Sequence, residues 1–206
     1  MTGVQTCALP IYAAVAIVAV AVSYFLGTIP SAIVVARSKG VDITTFGSGN
    51  PGASNVGRAL GAKWGILVFL VDAAKGAVPT ALMLGDRRIA FMCGAAAIVG
   101  HIFPVTRRFK GGKGIATGGG VVLALFPAVL AVALATWLVL MKATKKASVG
   151  SIVAVPVVVA GLLVVGPPAW EVWSMVGLGL LVEARHLGNI KRLFKGSEPP
   201  VSGDRT

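Results

Sequence analysis

The segment Gly112–Met141, GKGIATGGGVVLALFPAVLAVALATWLVLM, decides how many helices this chain forms. Beyond Lys113 it carries no charge, and about 20 consecutive apolar residues are enough to cross a bilayer. Pro127 interrupts the run, and a proline inside a helix either breaks it or kinks it. Two arrangements remain: a short helix over Gly112–Phe126 followed by one that starts at Pro127 and continues to Met141, or a single kinked helix.

Similar apolar runs occupy most of the rest of the chain. The sequence is 56% hydrophobic and 13% charged, with a mean hydropathy of +0.87, whereas soluble domains are about 25% charged. The runs are continuously apolar instead of alternating, which argues against a β-barrel. We therefore predict an all-α integral membrane protein, with apolar spans at Tyr12–Ala36, Ile66–Leu84, Val121–Met141 and Ser151–Gly166.

The distribution of basic residues favours seven helices. If the chain crosses the membrane seven times from an external N-terminus, sixteen of the 19 Lys and Arg residues face one side. Positive residues prefer the cytoplasm, so that side is cytoplasmic and carries the C-terminus. A single helix through Gly112–Met141 would instead place the KATKKAS loop outside. The net charge of +12 does not indicate nucleic acid binding, because there is no soluble basic domain to bind it.

The first polar segment, Ser48–Arg58, reads SGNPGASNVGR. Glycines such as Gly49 let backbone N–H groups approach an anion closely, and Asn50 and Asn55 add neutral donors. Arg58 adds a planar guanidinium that suits phosphate. The pattern favours an anion site over its alternative, an ordinary flexible loop.

The second polar segment, Phe109–Thr117, reads FKGGKGIAT. Two lysines lie among glycines at a predicted helix start, where free N–H groups and the helix dipole attract anions. The Walker pattern requires Ser or Thr directly after the second lysine, but Gly114 follows Lys113. We expect anion binding without ATP hydrolysis, and a simple basic loop is the alternative.

The third polar segment follows the last apolar run. His186 and Asn189 are three residues apart on a helix predicted over Glu183–Phe194, so they share a face. They could contact a substrate hydroxyl and its phosphate. The alternative is a basic interfacial helix whose lysines meet anionic lipid head groups, and different faces of one helix could serve both purposes.

Charged and sulfur-bearing residues elsewhere give weaker signals. Asp72 and Lys75 are three residues apart inside an apolar run and can pair across one turn; such charges mark a functional site by default, or a buried pair that supports the loops. We interpret His101 as structural. Cys7 and Cys93 provide neither a disulfide framework nor metal-ligand spacing, so we expect no metal and no cofactor.

Together these segments resemble the membrane-bound bacterial glycerol-3-phosphate acyltransferases that use acyl phosphate as donor. That family carries SGNxGATNxxR, FKGGKGxAT and HxxNIxRLxxGxE motifs, and the chain matches all three in order. Ser54 replaces threonine in the first motif and keeps the hydroxyl. The segments LVDAAKG and GHIFP match as well, so the resemblance extends from about Tyr12 to Glu198.

The resemblance implies a seven-helix bundle whose cytoplasmic motifs join an acyl group from acyl phosphate to the 1-hydroxyl of glycerol 3-phosphate, the first step of phospholipid synthesis. The implied catalytic residues are Ser48, Arg58, Lys113, His186 and Asn189. The implied phosphate-binding residues are Gly49, Asn50, Asn55, Lys110, Gly111, Gly112, Gly114, Thr117, Ser148 and Ser151. Structural roles are expected for Asp72, Lys75, His101 and Glu198.

The expected partners are acyl phosphate, glycerol 3-phosphate and membrane lipids, at the bacterial plasma membrane. A transporter or flippase for a phosphorylated lipid or small anion is the rival function, but it predicts an inverted repeat, and all three motifs lie on one face. We expect residues 12–198 to form a single domain, residues 1–11 to be foreign to it, and residues 199–206 to form a disordered tail.

Overall fold

A computed structural model describes residues 5–201, with side chains from residue 11 onward, and all regular elements in that range are helical. The predicted extension 1–11 lies largely outside the residues whose side chains are described, as does the end of the predicted tail, 202–206. The helices are α1 Gln5–Gly27, α2 Ser31–Arg37, α3 Ala53–Leu60, α4 Ala62–Leu82, α5 Arg87–Ile102, α6 Ile115–Leu125, α7 Pro127–Thr144, α8 Ala147–Val165, α9 Ala169–Ala184 and α10 Leu187–Phe194, with a 3-10 turn at Val105–Arg107.

The segment Gly112–Met141 forms two helices. Helix α6 ends at Leu125, and α7 begins at Pro127 with proline in its first turn. Phe126 between them has φ −145° and ψ 65°, which is not helical. The missing N–H of proline costs nothing in the first turn, where no intrahelical partner exists. The break at Pro127 is therefore confirmed, and the single kinked helix is wrong.

Five stretches of the described chain are long and apolar enough to cross a membrane. Helix α6 has 11 residues, so it rises only about 17 Å and falls short of the roughly 30 Å hydrocarbon core. Helix α9 has 16 residues. The integral membrane class is supported, whereas seven crossings and their orientation stay predictions. The five stretches are Ile11–Arg37, Ala62–Leu82, Arg87–Arg107, Pro127–Thr144 and Ala147–Val165.

Two helices predicted as continuous are broken. The run Tyr12–Ala36 stops before Pro30, because the residue preceding a proline is pushed out of the helical region, and the freed Ile29 carbonyl accepts a hydrogen bond from Lys75 Nζ at 2.7 Å. The helix predicted over Glu183–Phe194 divides between α9 and α10. There the ring nitrogen Nδ1 of His186 forms a hydrogen bond with the carbonyl oxygen of Val182 at 2.9 Å. In a continuous helix the backbone N–H of His186 would bond that oxygen instead.

Small residues hold α4 and α6 together at backbone contact. A Cβ at Gly76 would collide with the carbonyl of Thr117, and a Cβ at Gly120 would collide with the carbonyl of Ala73. Membrane helices depend on such close packing, since lipid supplies no hydrophobic drive for association. The contact fixes the start of α6, and the glycine-rich loop before it, beside α4.

An ion pair with one buried member joins three helices at the end of the bundle where α5 and α9 begin. Arg87 on α5 binds Glu171 on α9 through two nitrogens, at 2.6 and 2.9 Å. The Glu171 side chain is only 1% exposed, whereas that of Arg87 is 41% exposed. Arg87 also reaches the carbonyl of Leu125, the last residue of α6, at 3.5 Å. The pair therefore ties together the helix ends farthest from the glycine-rich loops.

We expect Arg87→Ala to destabilise the fold, because it leaves the Glu171 carboxylate buried without its partner. Leaving a buried polar group without its partner costs about 1–3 kcal/mol. Arg88→Ala is the matched control, since Arg88 is exposed in the same turn. Thermal unfolding of the detergent-solubilised protein checks this: a melting temperature of Arg87→Ala equal to that of Arg88→Ala would show that the pair contributes nothing.

Candidate active site

A polar cavity lies where α5 and α9 end and where α6 and α8 begin. All three polar segments contribute to its wall: the loop before α3 with α3 itself, the loop before α6, and the corner between α9 and α10. The predicted site residues that line it are Ser48, Asn50, Asn55, Arg58, Lys113, Gly114, Ser148, Ser151, His186 and Asn189, together with Asp72, His101 and Glu198.

Asn55 organises the first loop. Its side-chain nitrogen donates to the carbonyls of Ile43 at 3.2 Å and Phe46 at 2.9 Å. Its oxygen accepts from the backbone N–H of Ser48 at 3.3 Å and from Arg58 Nη2 at 2.8 Å. These bonds occupy the amide fully. Asn55 therefore holds Ser48 and Arg58 in place, a different geometry from the direct phosphate contact expected of it.

Arg58 lines the cavity and keeps one of its donors unsatisfied. Its Nη2 donates to Ser48 Oγ at 3.3 Å, while its Nε is buried without a hydrogen-bond partner among the described residues. Burial lowers the pKa of the guanidinium, but arginine remains charged at physiological pH. A buried, charged donor without a partner costs free energy, and a phosphate oxygen would satisfy it.

Lys113 is the second cation of the cavity. It lies in the loop that Gly114 ends, and Gly114 has φ 92°, a left-handed conformation that glycine adopts without strain. Burial lowers the pKa of the ammonium group to about 8, with Arg192, Arg58 and Arg185 lowering it further and Glu198 opposing them. At neutral pH most of the molecules carry the charge, which a bound anion would stabilise.

The two glycines before Lys113 face away from the cavity. The N–H of Gly111 donates to the carbonyl of Ile102 at 3.2 Å, and that of Gly112 donates to the carbonyl of His101 at 3.0 Å. A Cβ at Gly112 would collide with the His101 ring. Their N–H groups are thus already bonded, and the geometry gives these glycines a packing role.

Three other residues expected at phosphate also lie outside the cavity wall. Gly49 forms a turn with φ 68°, and its N–H donates to the carbonyl of Phe46 at 2.9 Å. Lys110 is exposed, and Thr117 is buried on α6 with a hydroxyl that has no partner among the described residues.

A buried polar network lies next to the cavity. Lys75 Nζ lies 2.5 Å from Asp72 Oδ1, as the spacing predicts, and both side chains are almost fully buried. Ser31 Oγ also donates to Asp72, and His101 Nδ1 lies 3.8 Å from the same carboxylate. The network links α2, α4 and α5 under the loop that carries Lys113, which agrees with a structural role.

His186 is held as a neutral ring. A carbonyl can only accept, so Nδ1 carries the proton and donates to Val182 at 2.9 Å. Burial is the main cause that lowers the pKa of His186 to about 4, and the nearby Lys113 lowers it further. The ring therefore offers Nε2 as an acceptor at neutral pH, able to accept a hydrogen bond or a proton from a hydroxyl.

Asn189 connects the cavity to the C-terminal segment. Its Nδ2 donates to Glu198 Oε1 at 2.6 Å, while its Oδ1 is buried without a partner among the described residues. Glu198 also binds Arg192 at 2.8 Å, which fits the structural role expected of it. Residues 199–201 of the predicted tail continue along the fold, and the N–H of Val201 donates to the carbonyl of Lys145 at 2.8 Å.

The sequence motifs did not reveal an apolar groove that adjoins the cavity. The groove lies among α6, α7, α8 and α9, and Phe69 of α4 and Ile98 of α5 also line it. It shares Phe69, Gly114, Ile115 and Trp137 with the polar cavity. Trp137 Nε1 donates to Ser151 Oγ at 3.1 Å, which places the indole at the junction. In the sequence Trp137 is one apolar residue of a membrane run, so nothing marked it.

Residues 17–196 match the family model described as glycerol-3-phosphate acyltransferase. The glycerol-3-phosphate acyltransferase of Aquifex aeolicus (strain VF5) is 40% identical over 180 residues, which cover 85% of this chain and 94% of that protein. The one from Neisseria meningitidis serogroup B is 42% identical over 199 residues, covering 91% of this chain and 98% of that protein.

Solved structures agree in fold. The crystal structure of PlsY (YgiH), an integral membrane glycerol 3-phosphate acyltransferase, in its glycerol 3-phosphate form superposes with a TM-score of 0.86 at 39% identity, covering 90% of this chain and 94% of that one. Its lysophosphatidic acid form gives a TM-score of 0.84 at the same identity and coverage. The chain belongs to the glycerol-3-phosphate acyltransferase family.

Proposed function

We propose that this enzyme transfers a fatty acyl group from acyl phosphate to the 1-hydroxyl of glycerol 3-phosphate, giving lysophosphatidic acid and inorganic phosphate. The observation that carries the proposal is that the two spaces adjoin: a polar cavity lined by two half-buried cations, Arg58 and Lys113, shares Trp137 and three other lining residues with an apolar groove. Acyl phosphate has both characters, an anionic head and an apolar tail. Family membership also favours acyl transfer over the transport of a phosphorylated lipid.

The unsatisfied polar atoms suggest where each substrate binds. Arg58, Ser48 and Lys113 supply cationic and hydroxyl donors for phosphate oxygens. Ser148, a buried residue near the start of α8 that lines the cavity beside Glu198, adds a hydroxyl. His186 and Asn189 keep free acceptors at Nε2 and Oδ1, which suit the hydroxyl groups of glycerol. Ser151 lies beside Trp137, which lines both the cavity and the groove.

The chemistry needs alignment and charge neutralisation. The glycerol oxygen attacks the acyl carbonyl carbon, a new C–O ester bond forms, and the bond between that carbon and the phosphate oxygen breaks. Phosphate departs with the bonding electron pair, and the hydroxyl proton passes to phosphate, directly or through His186 Nε2. Arg58 and Lys113 stabilise negative charge on the phosphates, while the cavity holds hydroxyl and carbonyl in line.

Donor choice tests the proposal. Purified enzyme is given glycerol 3-phosphate with either palmitoyl phosphate or palmitoyl-coenzyme A, and lysophosphatidic acid and inorganic phosphate are measured together. We expect product only from palmitoyl phosphate, with one phosphate released per molecule of product. Equal use of the thioester, or phosphate release independent of glycerol 3-phosphate, would rule out the proposed reaction.

We also propose that the active site faces the cytoplasm. Single cysteines at Ser38, Gly85 and Ser197, all exposed positions, are introduced into a chain whose Cys7 and Cys93 are replaced by alanine. Positions 38 and 197 should react with a membrane-impermeant thiol reagent only from the cytoplasmic side, and position 85 only from outside. Labelling of positions 38 and 197 from opposite sides would require an even number of crossings.

A further inference from the structure

Helix α6 contains three successive glycines, Gly118–Gly120, although glycine is the poorest helix former after proline. Packing explains Gly120, because a Cβ there would collide with the carbonyl of Ala73 on α4. Packing does not explain the other two. A Cβ at Gly118 would meet only Ile98 Cδ1, and a Cβ at Gly119 only Leu130 Cδ1, each at an ordinary contact distance of 3.9 Å.

Both unexplained glycines line the apolar groove. The groove follows α6 from Gly114, which it shares with the polar cavity, to Val122. At 1.5 Å per residue, Gly118 lies about 6 Å and Val122 about 12 Å from Gly114 along the helix. Two positions along the middle of the groove are therefore glycine, although the neighbouring atoms leave room for a Cβ at each.

We propose that Gly118 and Gly119 are specificity-determining residues, which keep the groove open so that a long unbranched acyl chain can pass beyond its first few carbons. The inference rests on the proposed function, because it assumes that the acyl group of the donor enters this groove. The ligand class is an acyl chain of more than about five carbons, since 6 Å corresponds to roughly four or five C–C bonds of about 1.5 Å.

A side chain at either position would obstruct the acyl chain more than it would disturb the packing of the helices. Alanine fits without moving a neighbour and restores a better helix former, yet its methyl group occupies groove space. Leucine at position 118 would fill the groove near the fifth carbon. A four-carbon chain would end before that point, whereas a sixteen-carbon chain would have to pass it. Hydrophobic pockets discriminate against one methylene by about tenfold or more.

The test compares wild type, Gly118→Leu, the double variant Gly118→Ala/Gly119→Ala, and Gly177→Ala. Gly177 is an exposed helical glycine on α9 that is absent from the groove lining, and a Cβ added there would meet no atom within 4 Å, so it controls for replacing glycine in a helix. The measured quantity is kcat/KM for palmitoyl phosphate divided by kcat/KM for butyryl phosphate. We expect this ratio to fall about tenfold or more in Gly118→Leu, to fall less in the double variant, and to stay at the wild-type value in Gly177→Ala.

The outcomes separate the inference from the function it rests on. If wild type transfers no acyl group from either donor, the proposed function fails. If wild type is active and the ratio is unchanged in both groove variants, or both donors decline equally, Gly118 and Gly119 do not select the chain. Should Gly118→Leu fail to fold, the double variant decides: a lowered ratio supports the inference, and an unchanged ratio with a raised melting temperature overturns it.

Discussion

Lys113→Ala will lower kcat/KM for acyl transfer by about 100-fold while the protein still inserts and purifies. Lys113 is half-buried in the cavity wall with no carboxylate in direct contact among the described residues, so the stabilisation that it provides goes to the substrate. A hydrogen bond to a charged group is worth about 1.5–3 kcal/mol, equivalent to roughly ten- to 150-fold, and a water-excluded site places the effect toward the upper end.

Lys110 is the matched control for that result. It carries the same charge in the same glycine-rich loop, but it is exposed and lies outside the cavity wall. Lys110→Ala should therefore retain kcat/KM within about twofold, because exposed charges contribute little. Arg58→Ala should resemble Lys113→Ala, since the Arg58 Nε is also buried and unsatisfied. Equal losses in Lys110→Ala and Lys113→Ala would mean that overall charge, not the cavity, binds phosphate.

The pKa of Lys113 predicts how activity depends on pH. Burial disfavours the charged form and lowers this pKa to about 8, so the free enzyme loses the charge as pH rises through about 8. We expect kcat/KM to decline above that pH. In Lys113→Arg the side chain stays charged, and the decline should move to higher pH. An alkaline decline at the same pH in both proteins would assign it to another group.

His186→Gln will keep measurable turnover, and a raised KM for glycerol 3-phosphate will be its main defect. His186 is neutral with Nδ1 bound to Val182, so its free Nε2 can hold a substrate hydroxyl. Asn189 lies one turn away, lines the same cavity and cannot act as a base, which favours a shared role in positioning. Glutamine and asparagine keep a neutral polar group and remove the base, so both are made.

The two roles of His186 also differ in their dependence on pH. Because burial lowers its pKa to about 4, the ring stays neutral down to about pH 5, and a loss of activity caused by its protonation begins only as pH falls toward 4. If both variants lose turnover by about a thousandfold with an unchanged KM, the loss lies in the transition state. His186 would then be a general base, and direct proton transfer to phosphate would be excluded.

The sequence predicts the membrane class, the break at Pro127 and many of the residues that line the cavity for one reason. Continuous apolarity, proline chemistry and motif spacing are local signals that can be read from the sequence. Because the polar segments lie between apolar helices, they can come together only at the ends of those helices. The Asp72–Lys75 pair follows from helix geometry alone. In contrast, the breaks at Ile29 and His186 depend on tertiary partners, Lys75 Nζ for the first carbonyl and the buried ring for the second.

The roles of individual glycines could not be predicted from the motif. Gly111 and Gly112 resemble an anion-binding loop in sequence. In the structure their N–H groups bond the carbonyls of Ile102 and His101, and the His101 ring packs against Gly112. Whether a backbone N–H is free depends on what another helix places against it. The same reasoning applies to Asn55, whose amide is used by Ile43, Phe46, Ser48 and Arg58. It also applies to the apolar groove, which forms only where helices from different parts of the chain pack together.

The central claim is that the glycerol hydroxyl attacks acyl phosphate directly in one shared cavity. It is tested most directly by mixing enzyme at substrate-like concentration with palmitoyl phosphate alone and following inorganic phosphate in the first turnover. Direct transfer predicts no phosphate until glycerol 3-phosphate is added, and then one phosphate per lysophosphatidic acid. A burst of one phosphate per enzyme without glycerol 3-phosphate would reveal a covalent acyl-enzyme intermediate and contradict the account.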